Sequence, residues 1–157
     1  SSYKKDWGSF YQAGGVLIAD RYTTSNGVHQ CSKLPPEQWP SFLDWLFDYE
    51  FRLLGLPAPD SVIYLEVDPA VSQRLMDQRY HGDQSKKDLH EKDREYLARS
   101  RQAAEFCAQR LGWQTVHCTR QGQMRSIQEI EAQVWALAQQ TLAQQRTEKR
   151  EGGRCTV

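Results

Sequence analysis

The sequence predicts an α/β fold built around a parallel sheet, and two observations support that prediction. Short apolar runs at residues 15–20 and 61–67 are continuous rather than alternating, which is typical of strands buried on both faces. Helical patterns separate the runs and are long enough to serve as crossovers between parallel strands. A third, more polar run at 113–118 predicts another strand near the edge of the sheet.

In the first third of the chain the pattern predicts two helices around the first strand. Aromatic residues recur at helical spacing over residues 1–13, and the Gly14–Gly15 pair ends that helix. The strand at residues 15–20 follows directly. A second helix over residues 40–54 begins with a proline, which suits a first helical turn, and ends at Gly55.

Two more helices are predicted between the second and third strands. The first begins at Asp68–Pro69 and runs toward Arg79. The second covers residues 88–111 and ends at Gly112, a residue that readily follows the last turn of a helix. With strands on either side, these helices would form the crossover of a parallel pair.

The last helix is predicted from a capping pattern. Ser126 and Glu129 have the spacing of a capping box, in which each side chain binds the other residue's backbone N–H. The helix should run to about Gln145. Residues 1–145 are therefore predicted to form the domain, and the charged residues 146–157 a flexible tail.

Composition limits the classes of partner. The 157 residues carry 20 basic and 20 acidic side chains, so the formal net charge is zero. Duplex nucleic acid and anionic membranes both require a basic surface, and neither is predicted as a partner. The four cysteines lack the spacing of zinc ligands, and no signal peptide is recognisable. We therefore predict free thiols and a cytoplasmic protein.

A dense polar run, DRYTTSNGVHQ, follows the first predicted strand at residues 20–30. Ligands of open parallel sheets bind beyond the carboxyl ends of the strands, and a structural turn needs fewer polar groups than this. Asp20 can ligate Mg²⁺ through water, and the planar fork of Arg21 suits a phosphate. The structural alternative is an ion pair between Asp20 and Arg21 that closes a loop.

The second part of the run suits a nucleobase. Asn26 offers both a donor and an acceptor, which is the pattern needed to read a base edge. If the segment is helical, Asn26, His29 and Gln30 are spaced to share one face. The structural alternative is that Thr24, Ser25 and Asn26 only cap a helix.

Four segments of the chain, between about Phe10 and Gln140, resemble thymidylate (dTMP) kinases in consistent order and spacing. They are GGVLIADRYTTSNGVHQ, PDSVIYLEVDPAVSQRLMDQR, KKDLHEKDREYLARSRQ and QMRSIQEIEAQVWALA. The stretches DWLFDYEFRLLGLPAPD and KKDLHEK are similar to the clostridial-type branch. The resemblance implies an α/β fold of the P-loop nucleoside monophosphate kinase type, with three layers and a parallel sheet, and incomplete because the first strand, P-loop and first helix are missing.

This resemblance also implies transfer of the ATP γ-phosphoryl group to dTMP, with Mg²⁺ as cofactor and dTDP as product. Asp20 matches a catalytic acidic residue near the metal, and Arg21 a catalytic arginine that holds the acceptor phosphate. The implied dTMP-binding residues are Arg21, Tyr22, Ser25, Asn26, His29 and Gln30. The surplus aromatic residues at 39–51 would then form a homodimer interface, or else cover a neighbouring element.

A lid is implied at about residues 80–91. The residues assigned to it or to the phosphates beside it are Arg79, Lys86, Lys87, Asp88 and Glu91. Leu89 stands where the family has a lid arginine, so Lys86, Lys87 or a residue outside the chain must supply that charge. A lysine is a point charge without the arginine fork, so the replacement is not neutral. The loop at 119–123 is implied to lie beside the adenine of ATP.

The sequence contains no G-x-x-x-x-G-K-[ST] motif. Because a P-loop backbone and its lysine stabilise the β- and γ-phosphates, we expect the 157 residues alone to be inactive and to be a fragment of a longer kinase. The residues leave two alternatives open: a related kinase with another acceptor nucleotide, and a non-catalytic nucleotide-binding module.

Overall fold

The computed structural model describes residues 3–79 and 87–152, and the chain divides into two compact units. The first unit is Ser1–Ala58 and is helical, and the second is Pro59–Val157 and contains every strand of the described residues. Side chains are described except at residues 4, 79, 87–94 and 148–152. The chain is therefore mixed α/β, as predicted, with a small parallel sheet in its second unit.

The first helix ends where the sequence predicts. A π-helical turn, Tyr3–Trp7, leads into α1, Gly8–Gln12. After α1 the backbone of Gly14 has a φ of 88°, and the N–H groups of Gly14 and Gly15 donate to carbonyls of the last turn at 2.9 and 3.0 Å. This arrangement is a Schellman motif, in which glycine adopts the left-handed conformation at the least cost.

The predicted first strand at residues 15–20 is wrong. The segment is irregular, and the two sheets of the described residues are built from other segments. Val16, Leu17 and Ile18 are exposed, Ile18 to 84%, whereas a strand buried on both faces would hide all three. The physical reason is pairing: a strand needs a neighbour for its N–H and C=O groups, and the described residues provide none here.

Two further helices complete the first unit. Helix α2 covers Thr24–Cys31, and after a short 3₁₀ turn at Pro36–Gln38 helix α3 covers Trp39–Phe47. Helix α3 continues directly as a π-helical segment, Asp48–Leu53, and Gly55 follows with a φ of 65°. The predicted helix over residues 40–54 is therefore confirmed, although its second half is wound more widely than an α-helix.

The parallel sheet of the second unit has two strands. Strand β1, Ile63–Glu66, pairs in parallel with β2, Gln114–His117, and the register places Glu66 opposite His117. The second and third predicted strands are thus confirmed, each somewhat shorter than its apolar run.

The crossover between these strands contains two helices. Helix α4 covers Pro69–Arg79, and α5 covers Lys87–Leu111. The Asp68 carboxylate accepts the N–H of Ala70 at 2.8 Å and so caps α4, and Gly112 follows α5 with a φ of 67°. The start of α4 and the end of α5 both match the prediction, because a capping aspartate and a glycine that can adopt the left-handed conformation are recognisable in the sequence.

The predicted loop at 119–123 is a hairpin. Strand β3, Thr119–Arg120, pairs antiparallel with β4, Gln123–Met124. The two residues between them, Gln121 and Gly122, have φ values of 51° and 72°. Two central residues with positive φ are the mark of a type I′ turn, whose twist matches that of the flanking strands.

The last helix, α6, covers Ile127–Gly152. The capping box is confirmed: the Ser126 N–H donates to the Glu129 carboxylate at 3.1 Å, and the Glu129 N–H donates to the Ser126 hydroxyl at 3.2 Å. The helix extends past its predicted end near Gln145. Arginine, glutamate and lysine make up most of the residues that follow, and all three are good helix formers.

The buried interior of each unit includes cysteine. Cys31, Cys107 and Cys118 are free thiols, as predicted, and all three are buried, while Cys155 lies outside the described residues. Burial raises the pKa of the Cys118 thiol, which keeps it protonated and unreactive. No helix in the described ranges is long and apolar enough to cross a bilayer.

Candidate functional site

The candidate site begins with two exposed charged residues just before α2. Asp20 and Arg21 lie at a bend, and Arg21 has a φ of 72°. A left-handed backbone costs a residue other than glycine about 1–3 kcal/mol, and it persists only where the surrounding structure holds it. Within residues 3–79 and 87–152, Asp20 and Arg21 form no ion pair with each other, so the loop-closing alternative is not observed.

Tyr22 anchors the loop. Its hydroxyl donates to the Pro57 carbonyl at 3.0 Å, and its ring meets that of Trp7 edge-on with centroids 6.2 Å apart. Burial raises the pKa of the Tyr22 phenol, and the negative charge of Glu50 adds to this shift. The hydroxyl therefore stays protonated as a donor, and it is already engaged with the backbone rather than free for a ligand.

The polar run after Tyr22 is helical. The N–H groups of Ser25 and Asn26 donate to the carbonyls of Tyr22 and Thr23 at 2.9 and 2.8 Å, which turns the chain into α2. Because the segment is helical, Asn26 lies on the same face as the residues three and four positions later. The side chains on this face are exposed, and they belong to Asn26, His29 and Gln30.

Asn26 contacts a buried carboxylate that the sequence analysis did not identify. Its amide nitrogen, Nδ2, donates to Oε1 of Glu50 at 3.2 Å. Glu50 lies in the π-helical segment and is only 7% exposed. Its other oxygen, Oε2, has no hydrogen-bond partner among the described residues, and neither has the buried hydroxyl of Thr23. A buried polar atom without a partner requires an explanation, and a group that binds there is one.

A signal for Glu50 was present in the sequence. The buried residues of α3 are Trp39, Leu43 and Leu46, and Glu50 continues the same spacing of four, three and four residues. A carboxylate on the buried stripe of an aromatic-rich helix requires a partner. The partner could not be read from the pattern, because Asn26 lies 24 positions away in the sequence.

The predicted lid residues lie mostly outside the description. Lys86 is among the residues that the structure does not describe. Arg79 is the last residue of α4, while Lys87, Asp88 and Glu91 belong to the start of α5. Their side chains are not among those described, so their roles remain predictions.

The second unit contains a charged cluster at the carboxyl ends of its parallel strands. Glu66 ends β1 and is buried, and its two oxygens contact Arg101 of α5, at 2.5 Å, and His117 at the end of β2. Arg101 also contacts Glu105 at 2.8 Å. Burial lowers the pKa of the Arg101 guanidinium, but the hydrogen bond to Glu66 and the charge of Glu105 outweigh it, and the net shift is upward.

This cluster lies where ligands of parallel sheets bind, but its contacts are those of a structural clamp, by which we mean a side chain that holds several elements together. Both oxygens of Glu66 are engaged, so the carboxylate joins both strands to α5 and leaves no acceptor without a donor. Its signal in the sequence was the pair of polar residues that end the two apolar runs, Glu66 and His117. We therefore place the candidate ligand site at residues 20–30 and Glu50.

The candidate site offers magnesium a single exposed carboxylate ligand. No group of three or more His, Cys, Asp or Glu residues lies close enough to hold a metal within the described parts of the chain. Mg²⁺, however, is commonly held by one or two carboxylates together with waters and substrate phosphates. The exposed carboxylate of Asp20, next to a candidate phosphate ligand, matches that donor set.

Comparison with known proteins gives one partial similarity. No protein-family model matches the chain, and no solved structure matches it. The chain is 34% identical over 104 residues to the thymidylate kinases of two strains of Mycobacterium tuberculosis, CDC 1551 / Oshkosh and H37Rv. The matched region covers 62% of this chain and 46% of each relative, so the chain spans about half the length of the curated proteins that it matches. What the chain shares with these thymidylate kinases is therefore a partial sequence similarity.

Proposed function

We propose that the chain supplies the acceptor-nucleotide site and lid of a dTMP kinase, which transfers the γ-phosphoryl group of ATP to dTMP and yields dTDP. One observation carries the proposal: Arg21 is exposed and held in a left-handed conformation beside Asp20, at the start of α2. The partial similarity to thymidylate kinases supports the same assignment. A cytoplasmic location is part of the proposal.

Arg21 is proposed to bind the 5′-phosphate of the acceptor. A guanidinium fork forms two parallel hydrogen bonds with phosphate oxygens, and these are stronger than bonds between neutral groups. Its exposed position lets the side chain reach a ligand in solvent. The strained backbone then has a reason to persist, because residues in such conformations are often held in place at ligand sites.

Asp20 would hold Mg²⁺ through water. When bound, the ion neutralises charge on the phosphates of ATP. The acceptor phosphate oxygen is ionised at neutral pH and attacks the γ-phosphorus while the bond to the ADP oxygen breaks. The step needs no strong general base, and the chain contributes mainly positioning and positive charge.

The exposed face of α2 is proposed to bind the nucleoside. Asn26 would contact the base, with Gln30 beside it on the base side, and His29 would lie beside the deoxyribose. Ser25 is proposed as a further dTMP-binding residue. Tyr22 would support this face through its ring, since its hydroxyl is engaged with Pro57.

The remaining sequence predictions belong to the same proposal. The lid residues would cover the phosphates, and they are Arg79, Lys86, Lys87, Asp88 and Glu91. A homodimer would use the aromatic surface of α3 and the π-helical segment. There the exposed rings of Trp45 and Tyr49 stack with centroids 5.8 Å apart.

Isothermal titration of the purified chain with dTMP tests the proposal. Arg21→Ala should weaken dTMP binding by about 10- to 100-fold, the scale of a lost charge-assisted contact. Arg52→Ala is the matched control, because Arg52 is an exposed arginine of the same unit that pairs with Asp48. It should leave the affinity for dTMP unchanged.

Thymidine separates a phosphate contact from a general disturbance. It lacks the 5′-phosphate, so Arg21→Ala should bind it as the unsubstituted chain does. Equal affinity of both proteins for dTMP would contradict the role of Arg21, and absence of any dTMP binding by the unsubstituted chain would contradict the proposed function itself.

A further inference from the structure

We propose that Glu50 is a positioning residue that fixes the amide of Asn26 with its carbonyl oxygen toward the nucleotide, so that the site selects pyrimidine bases carrying an N3–H donor. The inference rests on the proposed function, because it requires the acceptor nucleotide to lie on the exposed face of α2. What it adds is the positioning role of Glu50, which the partial similarity does not supply.

The carboxylate fixes which way the Asn26 amide points. An amide side chain has one donor end and one acceptor end, and the Glu50 oxygen in this contact is the acceptor. The 3.2 Å contact with Oε1 of Glu50 therefore belongs to the Asn26 nitrogen. The Asn26 oxygen, Oδ1, is the end that remains for a ligand, and the part of the chain that the structure describes offers it no donor.

Burial makes this orientation stable. Glu50 is 7% exposed, and its Oε2 has no donor among the described residues. Since Asn26 is the one described donor to this carboxylate, rotating the Asn26 amide would place its oxygen against Oε1 and leave the whole carboxylate unsatisfied. A π-helical segment such as Asp48–Leu53, where Glu50 lies, is also frequently found at functional sites.

The fixed orientation has a direct consequence for base selection. Thymine and uracil carry a hydrogen on N3, whereas N3 of cytosine is an acceptor. An Asn26 oxygen aimed at this edge bonds to the first two bases and faces a lone pair in the third. One buried carboxylate thereby sets the preference of the exposed residue, without touching the ligand itself.

Titration of the unsubstituted chain with four nucleotides tests the rule: dTMP, dUMP, dCMP and N3-methyl-dTMP. We expect dTMP and dUMP to bind at least about tenfold more tightly than dCMP and N3-methyl-dTMP, the effect of one hydrogen bond gained or lost. If N3-methyl-dTMP binds as well as dTMP, the inference is overturned while the proposed function stands. If dTMP does not bind, the proposed function fails, and the inference with it.

Glu50→Gln tests the role of the carboxylate. A glutamine amide can either donate or accept, so the Asn26 amide becomes free to turn over and offer its nitrogen to N3 of cytosine. The ratio of the dCMP to the dTMP dissociation constant should fall by about tenfold. The control is Asp48→Asn, which alters an exposed carboxylate in the same π-helical segment and should keep the ratio.

A spectroscopic measurement completes the test. The side-chain NH₂ signals of Asn26, identified by their loss in Asn26→Ala, should shift in Glu50→Gln and stay in place in Asp48→Asn. Glu50→Asp should not restore the base preference, because its shorter side chain moves the carboxylate away from Nδ2 of Asn26. An unchanged base preference in a folded Glu50→Gln protein would refute the inference.

Discussion

Two buried carboxylates, Glu50 and Glu66, differ in how fully their oxygens are hydrogen-bonded. Each is less than 10% exposed, and each contacts the side chain of a residue distant in the sequence. Glu66 is bound on both oxygens by charged or chargeable groups, whereas Glu50 has one neutral donor and one oxygen without a partner among the described residues. The first arrangement suits stability, and the second suits a carboxylate that orients one neighbouring side chain.

Glu66→Gln should lower the free energy of unfolding by about 1–3 kcal/mol, because it removes the negative charge and one of the two acceptor oxygens that bind Arg101 and His117. Urea denaturation followed by circular dichroism measures the change. Glu131→Gln, which alters an exposed glutamate of α6, is the control and should change stability by less than about 0.5 kcal/mol. Equal effects of the two substitutions would contradict the clamp.

The sequence was informative about Asp20, Arg21 and Asn26, because each residue type has a chemistry that a local pattern displays. It did not reveal their surroundings. The link between Asn26 and Glu50 depends on how α2 packs against the π-helical segment, and the left-handed backbone of Arg21 is a tertiary constraint on a residue that rarely adopts it.

At the scale of elements, the accuracy of prediction follows the local signals. Helices with a cap or a terminal glycine appear where expected, because these signals act within a few residues: α1 before Gly14, α4 after Asp68 and α5 before Gly112. The strand predicted at residues 15–20 fails because pairing is not local. An apolar run indicates that its side chains favour burial. Only a neighbouring strand can supply hydrogen-bond partners for its backbone N–H and C=O groups.

Ser126→Ala should destabilise the second unit by about 1 kcal/mol, since it removes the hydroxyl that accepts the Glu129 N–H at the start of α6. Thermal unfolding measures the loss. Thr147→Ala is the control: its hydroxyl bonds back to a carbonyl of the same helix, so alanine there should be neutral or slightly stabilising. A cap that does not stabilise the helix would leave the two variants equally stable.

The same cap gives a pH dependence with a definite sign. Hydrogen bonds from the Ser126 backbone and hydroxyl lower the pKa of the Glu129 carboxyl. A lowered pKa means that the ionised cap stabilises the folded chain above the ordinary glutamate range, and that this contribution is lost as pH falls through the lowered value. The unsubstituted chain loses this contribution in acid. The difference in free energy of unfolding between the unsubstituted chain and Ser126→Ala should therefore be smaller at acid pH than at neutral pH.

At the scale of the whole molecule, the chain contains two units and no P-loop motif in its 157 residues. We expect the purified chain to bind dTMP yet form no dTDP from dTMP and ATP, because the β- and γ-phosphates lack their main stabilising groups. A coupled ADP-release assay, with a complete thymidylate kinase as positive control, measures this. Formation of dTDP by the chain alone would contradict the expectation.

The exposed segment Val16–Leu17–Ile18 has a consequence for solubility. Apolar, β-branched runs without charge tend to pair with the same run in another molecule, and charged neighbours oppose that pairing. Asp20 and Arg21 are the first charged residues after it, while glycines precede it. We therefore expect the two residues proposed to bind phosphate and metal to oppose aggregation as well, so that a substitution at either position would change both properties.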